Sequence, residues 1–147
     1  MGTNFKEFGK ELSALRKQIA EEITDVIKDV GKEVFTAVRE PAPLGTPVVT
    51  GWARSGWRIN INTPTPGSVP EEADSGTIAM SNSEAEASLA TFLGMKDLTK
   101  VDHIFVDNRV PYMKKLNYET AKQSPKLFVE KAIQRGTNKL NKKRVIK

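Results

Sequence analysis

Apolar residues at Phe5, Phe8, Leu12, Leu15, Ile19, Ile23, Val26, Val30, Val34 and Val38 run through the first forty positions at a mean spacing of about 3.7. That period follows a straight α-helix rather than the roughly 3.5 of a left-handed coiled coil. Ile27 and Phe35 widen the stripe on one side, and charged residues fill the opposite face, with Asp25 and Asp29 each three residues ahead of a lysine. Asn4 and Glu7 have the form of a capping box, with Asn in place of Ser or Thr. Pro41 and Pro43 restrict the residues before them and cannot extend a helix, so it ends near Arg39. At roughly 1.5 Å per residue, such a helix over residues 4–39 is a rod about 50 Å long, more than a small domain needs. Either it bends at Gly31, or one end projects and packs on a neighbouring molecule.

Around this rod, 147 residues suit a single domain, with 38% apolar residues and ten aromatics to build a modest core. The expected division is one α+β domain over residues 1–136 and a basic C-terminal tail over 137–147. Cysteine is absent, which excludes disulfides, thiolate metal sites and thiol nucleophiles. The N-terminus alternates charge with apolar residues, unlike a secretory signal, and no apolar run is long enough to span a membrane. Synthesis in a cytoplasm is the expectation. The net charge of +5 is uneven: residues 126–147 hold eight Lys and Arg against Glu130 alone, leaving the first 125 residues at −2. Lys139, Lys142, Lys143, Arg144 and Lys147 therefore form a basic end suited either to solubility or to an acidic partner or polyanion.

Beyond the loop "PAPLGTPVVTG", Thr50 is placed to cap a single helical turn by accepting from a backbone N–H two or three residues on. Trp57, Ile59 and Ile61 then alternate with Arg58, Asn60 and Asn62, predicting a half-buried strand. "TPTPGSVPEEADSG" reads as a mobile exposed loop, and "TIAM" as a short strand. Ser83 and Glu86 suggest a second capping box, opening a short helix with Ala85, Leu89, Phe92 and Leu93 inward and Gly94 as its stop. "VDHIFV" predicts a second strand, apolar on both faces and so covered on two sides. "YMKKLNY" predicts two helical turns. A last helix is expected from Ser124 and Pro125, with Leu127, Phe128, Ala132, Ile133 and Leu140 inward. The fold class is α+β: long N-terminal and C-terminal helices packed on a small, mainly antiparallel sheet, with a Pro-rich exposed loop.

No catalytic constellation stands out. Walker-type, nucleophile-elbow, H-E-x-x-H and dinucleotide motifs are all missing. The single histidine, His103, reads as structural, and the carboxylates of "PEEAD" sit on a loop. No enzyme activity, cofactor or metal is expected. Trp52, Arg54, Trp57 and Arg58 could mix base stacking with phosphate contacts, giving an alternative reading as a non-specific DNA-binding protein. Equally, Trp57 could lead its strand into the core while Trp52 and Arg54 stay at the surface as a subunit interface.

"TPVVTGWARSGW" resembles the T-P-V-D-T-G-x-x-R-x-S-W signature of tail-completion, or head–tail joining, proteins of long-tailed bacteriophages. "FVDNRVPYMKKLNY", followed by "QSP", resembles the N-x-x-P-Y-x-x-x-L-E-Y-G and Q-A-P elements of that family, in the same order and at similar distance. Thr46, Pro47, Val48, Thr50, Gly51, Arg54 and Trp57 fall on the first motif. Asn108, Pro111, Tyr112, Leu116, Tyr118, Gln123 and Pro125 fall on the second. Val49 stands where Asp is usual, Trp52 where a polar or basic residue is common, and Asn117 and Glu119 where Glu and Gly follow the leucine. The resemblance implies a virion protein of the neck, between the portal-side connector and the tail tube. It further implies a ring, commonly hexameric, with connector proteins and a tail terminator or tube protein as neighbours. A tail terminator or other minor tail protein is the nearest alternative, and genomic DNA in a ring lumen would be a non-specific contact.

Overall fold

A computed structural model describes residues 5–40, 45–47, 50–118 and 127–142. Helix α1, Phe5–Arg39, is unbroken over 35 residues, as the apolar period requires. Asn4, Pro41 and Pro43, the expected start and stop signals, lie outside the described residues. The chain then makes the one-turn helix α2 (Trp52–Ser55), strand β1 (Trp57–Ile61), helix α3 (Ser75–Leu93), strand β2 (Ile104–Asn108), helix α4 (Met113–Tyr118) and helix α5 (Phe128–Lys142).

The two strands pair antiparallel, Trp57 opposite Asn108 and Ile61 opposite Ile104. Trp57 and Ile59 are buried on the face towards α1, where a Cβ on Gly31 would stand 3.2 Å from Ile59 and 2.7 Å from the Phe92 ring. Gly31 thus admits close packing of α1 against Ile59 and Phe92. Helix α3 packs along β1 as well. Arg58, expected to point outward, is buried against α3, and the β1 edge is closed by Ser88 Oγ, which accepts from Ile59 N at 3.2 Å. Helix α3 thus lies along the β1 edge and reaches α1 through Phe92, while α1 packs with α5.

Helix α5 begins where Leu127 N donates to Asn117 O at 2.6 Å, beside the C-terminal end of α1, and runs back along that helix. Phe128, Ala132 and Gly136, spaced by four, make its inner face; Gly136 lies against Val30 and Val34, leaving no room for a side chain. Arg135 bridges Glu33 and Glu40 at 2.9 Å each. Leu127, Ile133 and Leu140, expected inward, are instead 41–52% exposed. The helix also continues to Lys142, past the expected boundary between domain and tail at 136/137.

Three other expectations are corrected. "TIAM" is helical, and α3 begins at Ser75 rather than near Ser83, because Asp74 caps it by accepting from Thr77 N at 2.7 Å. Ser83 instead donates to Ala79 O inside the helix. Strand β2 starts at Ile104 rather than Val101, since Asn62 Oδ1 captures the N–H groups of Asp102 and His103 before the ladder can. The Pro-rich segment is exposed yet pinned: Thr65 donates twice to Asp107, Arg109 to Pro66 O and Trp52 Nε1 to Pro70 O.

Candidate functional site

The two motif-bearing segments lie about fifty residues apart in sequence and meet in one corner. Its first anchor is Thr46, fully buried, whose N–H and hydroxyl both donate to Val38 O at the end of α1. The same hydroxyl accepts from Trp57 Nε1 at 2.8 Å, so one side chain ties the helix end to the first residue of β1. Thr50 Oγ1 accepts from Trp52 N at 3.3 Å, the two-residue reach expected of it. Gly51, at φ 91°, takes the left-handed conformation that turns the chain into α2 and that a side chain would strain.

The second segment closes the corner. Asn108 pairs with Trp57 in the ladder, its Nδ2 donates to Ala53 O at 2.7 Å, and its Oδ1 accepts from Val110 N at 3.0 Å. Gly56 makes that approach possible, because a Cβ there would stand 2.6 Å from Asn108 Oδ1. Ser55, fully buried, accepts at its carbonyl from Arg58 and Ser81. Arg54 is half-buried, and its Nε donates to Arg39 O, placing a cation at the C-terminus of α1, where the helix dipole favours it.

The remaining motif residues are unevenly placed. Pro47 is buried and shares a small crevice with Tyr112 and Leu116, both half-buried; Pro111 and Tyr118 are exposed. Tyr112 also faces Thr50, Glu71, Glu72 and Ala73 across a cleft. Its burial, reinforced by the two carboxylates, raises the phenol above its ordinary value of 10.0. Val48, Gln123 and Pro125 lie outside the described residues, as do the departures Val49 and Glu119. Of the basic end, Lys139 is half-buried on α5, Lys142 closes that helix, and Lys143, Arg144 and Lys147 lie outside the described residues.

Two expectations about the corner are corrected. Trp52 is 5% exposed, with its indole N–H donating to Pro70 O at 3.0 Å, so it is part of the core rather than a surface hot spot. Nor do Trp52, Arg54, Trp57 and Arg58 form a stacking platform. Both indoles are buried, and Arg58, 7% exposed, donates to the carbonyls of Ser55 and Trp57, to Ser81 and to Glu84. Glu84 and Glu86, two apart on α3, are drawn to different arginines, Arg58 and Arg39. His103 is exposed, its ring 6.0 Å from that of Phe105.

Asn117, which the sequence marks only as a departure from the second motif, is buried and organises the start of α5. Its Oδ1 accepts from Val129 N at 2.9 Å, its Nδ2 donates to both oxygens of Glu130, and its carbonyl takes the N–H of Leu127. Among the described residues there is no cluster of potential metal ligands, and no helix is long and apolar enough to cross a membrane. Comparison with family models, curated proteins and solved structures gives no match.

What the corner offers chemically is rigidity. The polar groups of Thr46, Ser55 and Asn108 are directed at neighbouring side chains and main-chain groups, which fixes two distant segments against each other. The open surfaces lie elsewhere. The first half of α1 is exposed throughout residues 6–18, with Phe8, Leu12 and Leu15 between 38% and 52% accessible.

Proposed function

We propose that this chain is a structural virion protein of a bacteriophage neck, a tail-completion or head–tail connector subunit that assembles into a ring joining the DNA-filled head to the tail. The observation that carries this reading is the docking of the two segments resembling that family. Asn108 of the second binds Ala53 of the first and pairs with Trp57, so two motifs that co-occur in sequence serve one structural purpose. The reading assigns no reaction to the chain. Its working surfaces are contacts with copies of itself and with adjoining connector and tail proteins, and α1 supplies a projecting apolar edge for such contacts. The basic end of the chain, in this reading, faces DNA in the ring lumen or an acidic neighbour, through contacts that weaken steeply with salt.

Electron microscopy of a phage particle carrying a tagged copy of this chain tests the proposal. Label confined to the head–tail junction is the expected result. Label along the tail tube or at its far end would favour a tail-terminator or minor-tail role, and absence of the chain from particles would overturn the reading.

A further inference from the structure

The segment between β1 and α3 is clamped at both ends and lightly held in the middle. At its start, Asn62 N donates to His103 O at 2.8 Å, and Thr65 donates from its N–H and its hydroxyl to the carboxylate of Asp107. Arg109 Nη1 adds a bond to Pro66 O at 2.7 Å. At its far end, Asp74 caps α3. Between these clamps run residues 67–73, of which Val69 and Ala73 are half-buried and the rest exposed. Among the described residues, one hydrogen bond ties this stretch down, from Trp52 Nε1 to Pro70 O at 3.0 Å, and no main-chain pair does.

Beneath it lies a crevice of about 220 Å³, shared with α3 and lined in part by Trp52, Arg58, Val69, Pro70, Met80 and Ser81. All of its lining falls within residues 52–110, which the structure describes without a gap. A stretch that spans a void forfeits contacts on that side, so lifting it gives up little packing. Gly67, at φ 83°, follows the clamp at Thr65 and Pro66 and stands where a swing would pivot.

We infer that residues 67–73 form a flap that opens as a unit about Gly67 and Asp74 while the fold beneath stays intact. Closed, the flap covers the indole N–H of Trp52 and shows Glu71 and Glu72 to solvent. Open, it uncovers that indole edge and the crevice floor, where Arg58 is fixed by the carbonyls of Ser55 and Trp57, by Ser81 and by Glu84. An acidic surface thereby gives way to an apolar one with a guanidinium at its base. Segments with few buried contacts open at far lower cost than the whole fold. Opening needs neither a ring nor a partner, so it stands apart from the neck reading.

The two tryptophans supply an internal comparison. Both indoles are buried and hydrogen-bonded, Trp52 to the flap and Trp57 to Thr46 in the core. Hydrogen exchange of the two indole N–H groups, followed by NMR in the intact chain and assigned with a Trp52→Phe variant, separates the two motions. The expected result is exchange at Trp52 at least about a hundredfold faster than at Trp57. Low urea should leave the Trp52 rate unmoved, because a local opening exposes little surface, and should raise the Trp57 rate. Phe128→Leu, on α5, weakens the fold without touching the flap and should speed exchange at Trp57 alone. Equal rates with the same urea dependence at both indoles would overturn the inference. So would a Phe128→Leu variant that speeds both indoles by the same factor, since Trp52 would then open only with the whole fold.

Discussion

The corner at Trp57 and the free half of α1 are built on opposite plans. At the corner, Thr46, Ser55, Arg58 and Asn108 spend their polar groups on neighbours within the subunit, and both tryptophans are sealed beneath them. Along residues 6–18 the polar and apolar side chains alike face outward, and Phe8, Leu12 and Leu15 bury little within the subunit. An isolated helix of that length is marginal in water, so its stability depends on its continuity with the rest of α1. The difference separates two tasks that sequence alone mixed together. The corner makes the fold; in the ring proposed above, the free helix is left for assembly.

Substitutions should therefore divide cleanly between the two regions. Trp57→Ala should have the largest effect, removing a buried aromatic and the donor held by Thr46, at a cost of about 3–5 kcal/mol. Urea denaturation should show a midpoint far below that of the parent chain, or no folded baseline. Trp52→Ala should fall in the same range, since its ring is equally buried; a Trp52→Ala protein that keeps the parent midpoint and loses only assembly would return Trp52 to the surface. Gly56→Ala comes next, at about 1–3 kcal/mol, because the added methyl meets Asn108 and forces the two segments apart.

A smaller effect follows from Tyr112. Burial and the nearby Glu72 and Glu71 raise its pKa in the folded chain, so the native state keeps the phenolic proton where the unfolded state has lost it. That stabilisation is complete below about pH 10, the unfolded value, and is lost as pH rises towards the higher folded value. Ultraviolet titration should show one phenolate forming late, and Tyr112→Phe should abolish that late step. Smallest of all, Phe8→Glu and Leu12→Glu should change the stability of the isolated subunit by no more than about 0.5 kcal/mol each, as exposed positions do. A large loss of stability in those variants would show that the ridge serves the fold after all.

Much of the architecture was legible in the sequence because it rests on local rules. The ten-residue apolar stripe specified α1 from end to end, and the alternation from Trp57 to Ile61 specified β1. Helix α3 was harder to see, because its buried positions, Ser81, Ala85 and Phe92, include two small residues and one polar one. An apolar period barely registers there, while Asp74 at the true start looked like part of an acidic loop. The alternation sets Arg58 opposite Trp57 and Ile59 and predicts it in solvent, since nothing local announces that Ser81 and Glu84 of α3 stand ready to receive it. The same holds for Trp52: its partner, the carbonyl of Pro70, belongs to a segment that reads as free loop. In α5 the larger leucines and isoleucine drew attention from the inner row of Phe128, Ala132 and Gly136, where small size, rather than hydrophobicity, lets the helices approach.

The claim that fold and assembly reside in separate regions is tested most directly by sedimentation velocity on the parent chain and on a Phe8→Glu, Leu12→Glu double variant, each across a wide concentration range. The account predicts ring-sized species for the parent and single subunits for the variant, with superimposable circular dichroism and equal urea midpoints. A parent chain that never associates, or a double variant that assembles to the same size as the parent, would contradict it.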